Sequence, residues 1–406
     1  MRGMRNSSSA LKRQELPQVH KSETPSRLAK FGIGAMDHTI YLVVIILVLF
    51  GIMMVFSSSY VVTGRSYRHG FDSFYFLRRH VPLALLGFAA MNVMANINYR
   101  LLKRFALPLY LSAIGLLVFT AIFGRTIGGG TRWIEILGIQ FQPSEIAKVA
   151  LILVLARLIS RNRDILNKWP GFLFCSGIVG LMTVFIALGN LSTAIIVAII
   201  GGGMIFMSSP HIMRFVVAGV AAVGGMVGYL YVLAFQSHLL PEAMGGQFRG
   251  SRFMAWLDPF ADMQGYGFQI VQSLYAIASG GLFGLGIGQS RQKTFLPEVH
   301  NDVIFSVICE ELGFVGAAIV LLLFSILIWR GLRIAMNATD SFGALVAVGI
   351  VLMISSQVII NVAVVTNSIP NTGIPMPFIS YGGTALVVCM ACMGILLNIS
   401  RYSKIE

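Results

Sequence analysis

Three acids in one short stretch, Leu296 to Gly316, LPEVHNDVIFSVICEELGFVG, stand at or inside its apolar part: Asp302, Glu310 and Glu311. It begins polar, turns apolar at Val303 and still carries Glu310 and Glu311 inside the apolar run. A carboxylate in a hydrophobic segment is costly and marks a functional-site hypothesis. Asp302 stands just before that run, where water would meet membrane. An exposed aspartate titrates near ~3.9, and desolvation at such a boundary raises it toward the range where a carboxylate takes a proton from a hydroxyl. Spacing alone favours a plainer role, Asn301 or Asp302 capping the helix that starts at Val303. The two roles are compatible. Glu310 and Glu311 fall roughly 12–14 Å farther along a helix, too far to share a proton with Asp302, so a structural role is favoured for them.

Glu145 and Lys148 occupy one helix face with the acid first, a favourable ion-pair order, and Pro143 suits that helix's first turn. They form an intramembrane salt bridge, or Lys148 joins Arg132 in attracting a phosphate; the residues leave both readings open. Ser380-Tyr381-Gly382-Gly383 opens another helix, whose free amides could receive a phosphate. Close packing through small residues is the favoured alternative. His300 and Asp302 raise the question of a divalent cation, but no ligand spacing supports one. Cys389-x-x-Cys392 has no histidine or second cysteine pair near it in sequence and reads as two small packing residues.

These residues need a frame. The chain has 406 residues, 56% hydrophobic and 11% charged, where soluble domains carry roughly 25% charged residues. The expected class is an all-α polytopic membrane protein. A net charge of +14 then reflects basic cytoplasmic loops against anionic lipid, and without a basic groove interleaved with aromatics it gives no case for nucleic acid. Residues 1–37 read as a disordered basic tail with no signal peptide. Ten transmembrane helices are expected at about 38–57, 81–97, 105–123, 144–160, 171–188, 190–208, 212–235, 303–329, 343–366 and 378–399.

Short basic loops (Arg100/Lys103/Arg104, Arg161/Arg163/Lys168, Arg214, Arg330/Arg333) fall on one side together with Arg401/Lys404 and the tail. That side is the cytoplasm, with both termini in. Arg65, Arg68, Arg78 and Arg79 lie outside, against the rule, which suggests another task for them. Three segments then share the outer face: 128–148, the long extracellular loop 236–302 between helices 7 and 8, and 370–384. Within the loop, Phe268 to Ser279 is apolar but too short to span, and a glycine-rich run follows. It reads as a re-entrant or interfacial segment beside a cavity. Residues alone thus point to an outer-face site for an anionic, lipid-linked substrate.

At GGGTRWIEILGIQFQPSEIAK, QSLYAIASGGLFGLGIGQSRQKTFLPEVHNDVIFSVICEELGFVG and NTGIPMPFISYGGT the chain resembles the SEDS family (shape, elongation, division and sporulation), which includes FtsW, RodA and SpoVE. The resemblance runs from about residue 40 to the C-terminus, within a domain drawn at 38–402. Asp72 to Arg79 and Leu397 to Tyr402 look more like the FtsW/SpoVE branch. The departures are Gly189-Asn-Leu-Ser-Thr193 without the family's acid, His80 where glutamine is common, and Asn301 where threonine is usual.

The resemblance implies a peptidoglycan glycosyltransferase that polymerises lipid II beside a class B penicillin-binding protein and other division proteins, in the cytoplasmic membrane at the division septum. Asp302 falls on the family's catalytic aspartate. Arg132, Glu145 and Lys148 become substrate-binding candidates, with Arg79, Arg252, Lys293, Ser380, Gly382 and Gly383 as further ones. The implied reaction is one inverting displacement with Asp302 as general base and cations stabilising the departing diphosphate. A lipid II flippase and a non-catalytic scaffold for the penicillin-binding protein are the rivals. Polar groups clustered on one face disfavour the flippase.

Overall fold

Apolar runs too long for a soluble core form helices that bury one face on each other and leave the other for lipid. The computed structural model describes residues 34, 36–64, 71–127, 130–136, 139–162, 164–235, 246–296 and 299–403. Nearly all of the expected tail, Arg65, Arg68, Arg163, Lys404 and positions 236–245 of the long loop lie outside the described residues.

The helices are α1 (His38–Gly64), α2 (Tyr75–Asn96), α3 (Leu102–Phe123), α4 (Pro143–Arg161), α5 (Trp169–Gly189), α6 (Leu191–Ser208), α7 (Ile212–Phe235), α8 (Gly246–Leu257), α9 (Phe268–Gly280), α10 (Ile304–Met336), α11 (Ser341–Val365) and α12 (Thr384–Arg401). Among the described residues seven, α1, α3, α5, α6, α10, α11 and α12, are long and apolar enough to cross a membrane. Each expected span has a helix. α2 begins earlier than about 81, after a turn in which the Asp72 side chain accepts from Phe74 N. α12 begins later than 378, because Pro375, Pro377 and Gly383 (φ 48°) precede it in non-helical backbone.

The all-α expectation needs a correction. Between α3 and α4 the chain forms an antiparallel sheet, β1 (Arg125–Ile127), β2 (Gly130–Ile136) and β3 (Ile139–Phe141), in the order β1-β2-β3. TRWIEI is rich in β-branched and aromatic residues, which favour strands, a signal that span counting passes over. The sheet stands on α3, α4 and α5 and carries Arg132.

α2 packs on α12, α3 on α4, α5 on α6, and α10 on α11, α9 and α1. The α2–α12 seam is close enough that a Cβ on Gly394 would overlap the carbonyl oxygen of Met91. At one end of the bundle, Gly34 N donates to Arg401 O at 2.7 Å, and Arg330 pairs with Asp37 at 2.7 Å. The described chain therefore enters and leaves at the same end.

α10 is broken at Gly313, whose backbone (φ 69°, ψ −168°) is not helical. A break strands carbonyls on one side and N–H groups on the other. The glycine-rich run after α9 supplies the partners. Leu285 N donates to Glu310 O and Gly286 N to Glu311 O, both at 2.9 Å, while Phe314 N donates to Gly281 O and Val315 N to Leu282 O. The backbones touch at Gly284 and Gly313, both with positive φ, where a side chain on either would overlap the other strand.

Glu310 and Glu311, both 0% exposed, bind the same loop, the structural role expected of them. The Glu310 carboxylate accepts from Ser290 Oγ and from Arg291 N at 2.9 Å. Glu311 accepts from Ser57 Oγ at 2.6 and 2.8 Å and from Lys293 Nζ at 3.3 Å.

Candidate active site

Asp302 lies in the turn that leads into α10. The helix cap falls on Val303 and no side chain caps it. The cap that spacing placed on Asn301 or Asp302 falls one residue later, because the chain is still turning at 302, and the Asp302 carboxylate has another partner. It accepts instead from Gln269 Nε2 on α9, Oδ1 being 3.4 Å away. The main chain is fixed from α11, where Asn361 Nδ2 donates to Asp302 O at 2.7 Å and to Ile374 O at 2.8 Å. Asn371 Nδ2 donates to Gln269 Oε1 at 2.8 Å. Gly373 (φ 66°) stands over the carboxylate, and a Cβ there would lie 3.6 Å from Oδ2. Arg252 on α8 is the cation in this group: burial pulls its pKa down, opposed by the charge of Asp302 and by Tyr266. An aspartate held by amides beside a guanidinium can accept a proton from a hydroxyl and keep an anionic ligand near.

A second cluster lies at the start of α4. Lys148 Nζ is 2.9 Å from Glu145 Oε1, and Lys148 is 1% exposed. This ion pair is the salt bridge that the sequence left as one of two readings. Glu145 borders a cavity of about 20 Å³ shared with Gln357, Ser380, Gly382, Leu386 and Cys389, room for about one water molecule. Ser380 Oγ accepts from Met376 N at 2.8 Å and so closes its own turn. Gln142 N, at the cap of α4, donates to Thr384 Oγ1 at the head of α12, joining Gly382 and Gly383 to this region.

The segment 371–383 links the two clusters. Its first residues stand against Asp302 and Gln269, its last against Glu145. Between them Tyr381 N donates to His300 O at 2.8 Å. His300 meets Phe76 in a tilted ring contact with centroids 3.8 Å apart, and Tyr381 meets Phe76 and His80. Burial pushes the Tyr381 phenol up, and neighbouring Arg79 pulls it back. Arg79 is exposed, its guanidinium 4.3 Å from the centre of the Tyr75 ring.

Two further candidates have protein partners of their own. Arg132 Nε donates to Gly189 O at 3.2 Å, at the C-terminus of α5 where a cation is favoured. Lys293 is 2% exposed. Its Nζ is held by Glu311, by Ser57 O at 3.1 Å and by Gly288 O at 2.6 Å, so its charge serves the α9–α10 loop. Where the family's acid is absent, Asn190 Oδ1 caps α6 through Thr193 N. Among the described residues no three His, Cys, Asp or Glu side chains gather as a metal-ligand group.

Sequence reasoning missed Gln269, Asn361 and Asn371. Asn361 had a signal, a polar amide in the apolar run of α11. Gln269 lies in the short apolar segment 268–279 and Asn371 in NTGIPMPFISYGGT; both are neutral amides, and neither stood out from its segment.

A bundle of apolar helices with a carboxylate, amides and cations at its polar loops defines a multi-pass membrane protein with a polar site. The sequence pattern of the family described as "Cell cycle protein" (FTSW_RODA_SPOVE) matches residues 37–405, and the chain belongs to this family, the SEDS family. It is 39% identical to Stage V sporulation protein E of Bacillus subtilis (strain 168), covering 91% of this chain and 98% of that one. It is 36% identical to the probable peptidoglycan glycosyltransferase FtsW of Geobacter sp. (strain M18), covering 91% and 97%, and 36% identical to the peptidoglycan glycosyltransferase MrdB of Escherichia coli (strain K12), covering 94% and 98%. Among solved structures, a chain from "Structural coordination of polymerization and crosslinking by a peptidoglycan synthase complex" superposes with a TM-score of 0.71 at 27% identity, covering 92% of this chain and 99% of that one. The rod shape determining protein RodA of Thermus thermophilus shares the fold, with a TM-score of 0.64 at 24% identity, covering 92% and 99%.

Proposed function

We propose that this chain is a peptidoglycan glycosyltransferase that polymerises lipid II on the outer face of the cytoplasmic membrane. Asp302 acts as general base. It takes the proton of the acceptor sugar's C4 hydroxyl as that oxygen bonds to the anomeric carbon of the donor. The bond from that carbon to the lipid diphosphate breaks, and its electron pair leaves with the diphosphate. An α-linked donor giving a β-1,4 product means a single inverting displacement. Arg252, beside Asp302, and Arg79, exposed nearby, are suited to the diphosphate charge, with Arg132 and the 382–383 amides as further donors. Glu145 and Lys148 hold the floor of the site through their ion pair.

The observation that carries this reading is Asp302 itself, fixed by Asn361 and Gln269 and relieved of helix capping. The proposed topology has ten spans with both termini cytoplasmic, in keeping with Gly34 and Arg401 meeting at one end of the bundle. A class B penicillin-binding protein is the proposed partner, supported by a structural neighbour from a complex that coordinates polymerization and crosslinking; the septum is the proposed place of work. The test is Asp302→Ala in purified protein supplied with lipid II, where polymer is expected to vanish. Lipid II translocation in proteoliposomes with no polymer from the wild type would instead favour a flippase.

A further inference from the structure

A row of amides runs into Asp302 with one fixed direction. It starts at a main-chain N–H, which can only donate: Gly373 N donates to Asn371 Oδ1 at 3.2 Å. That bond turns the other end of the Asn371 amide, its NH₂, toward Gln269 Oε1 at 2.8 Å. With its oxygen occupied, Gln269 presents Nε2 to Asp302 Oδ1 at 3.4 Å. Each amide is thus oriented by the one before it. The other carboxylate oxygen, Oδ2, faces the Cα of Gly373, where even a methyl group would stand 3.6 Å away.

We propose that Gln269 and Asn371 form a directional amide relay that ends on Oδ1 of Asp302 and positions its carboxylate for the hydroxyl of the acceptor sugar. The proposal rests on Asp302 being the base. Gln269 and Asn371 are positioning residues; neither touches the reacting atoms. The relay holds the carboxylate plane so that one lone pair faces the acceptor. It also favours the ionised form, since a donor at Oδ1 bonds best to a carboxylate.

The groups around Asp302 allow the relay to be read from a pH profile. α8 supplies Arg252, charged throughout the working range, and the following segment supplies Tyr266, beside Arg252. His300 is turned to the rings of Phe76 and Tyr381. α11 and residues 371–373 contribute only uncharged groups.

Lipid II polymerisation by the full chain is measured across roughly pH 5 to 9, the range in which a tuned carboxylate base titrates. Gln269→Glu and Asn371→Asp are isosteric and add no bulk. Gln269→Glu places a second carboxylate against Oδ1, so the acidic limb of kcat moves up by about 1–2 pH units. In Asn371→Asp the Gln269 amide turns round to donate to the new acid and shows its oxygen to Asp302, moving the limb the same way by a smaller step. Gln269→Leu lowers kcat roughly tenfold with KM unchanged, the scale of one hydrogen bond to a charged group.

Acidic limbs of Gln269→Glu and Asn371→Asp that superimpose on the wild type would overturn the relay. If Asp302→Ala polymerises normally, the base reading itself fails. If Asp302→Ala is inactive and the limbs do not move, the relay alone fails.

Discussion

Asn361 holds Asp302 by the main chain: one side-chain NH₂, 1% exposed, reaches the carbonyl of Asp302 at 2.7 Å and that of Ile374 at 2.8 Å. A single amide on α11 thereby fixes the turn before α10 and the loop before α12 at the same point. Asn361→Leu leaves two carbonyls without that donor, at about 1–3 kcal/mol. The expected outcome is a lower thermal unfolding midpoint and a fall in lipid II polymerisation larger than the loss of folded protein accounts for.

The Glu145–Lys148 pair predicts a double-mutant cycle. With Lys148 at 1% exposure, Lys148→Met strands a buried carboxylate and costs about 3–5 kcal/mol. Glu145→Gln together with Lys148→Met removes both charges, and the double variant is expected to unfold at a higher temperature than Lys148→Met alone. Equal midpoints would mean that the two groups are not coupled. The same two preparations tell whether Lys148 also serves substrate: polymerisation restored with stability marks a structural pair, and polymerisation still lost marks a contact with lipid II.

Gly313→Ala tests the break in α10. Alanine would have to adopt φ 69°, and its methyl would overlap the Gly284 main chain. Strain of about 1–3 kcal/mol adds to that clash, so the variant is expected to fold poorly or to lose the loop's protection in hydrogen exchange at Leu285 and Gly286. Gly177→Ala, in an open position on α5, is the matched control and is expected to behave as wild type.

Lys293→Met removes the cation from Glu311, which is 0% exposed. The expected result is a loss of stability comparable to that of Lys148→Met, partly recovered by adding Glu311→Gln. If Lys293→Met instead keeps its unfolding midpoint and raises the KM for lipid II, the lysine belongs to substrate and not to the loop.

Much of this architecture was legible in the sequence because its signals are large. Apolar runs of about 20 residues mark spans; every expected span has a helix, and among the described residues seven of these are long and apolar enough to cross a membrane. Acids and lysines in such runs are costly enough to stand out, which brought forward Asp302, Glu145, Lys148, Glu310 and Glu311. What escaped is set by smaller energies or by tertiary partners. The short strands around Arg132 lie in a segment that hydropathy treats as loop. The break at Gly313 depends on Gly284, about thirty residues away in sequence, and Gly-Phe within an apolar run does not announce it. Lys293 looked free to meet a phosphate because its partner lies across the α9–α10 loop. Gln269 and Asn371 are neutral amides whose direction only the assembled loops define. Asp302 looked like a cap because a carboxylate one residue before a helix usually is one; the extra residue of turn before Ile304 removes that role.

Lipid II polymerisation by the purified full chain with Asp302→Asn in place of the wild type tests the account most directly. The asparagine keeps the shape of the side chain and can still face Gln269, but it cannot take a proton. Loss of a general base costs about 10²–10⁴-fold in rate, so polymer is expected to fall by at least ~100-fold while the variant remains folded and membrane-inserted. Polymerisation at the wild-type rate would contradict the assignment of Asp302 as the base.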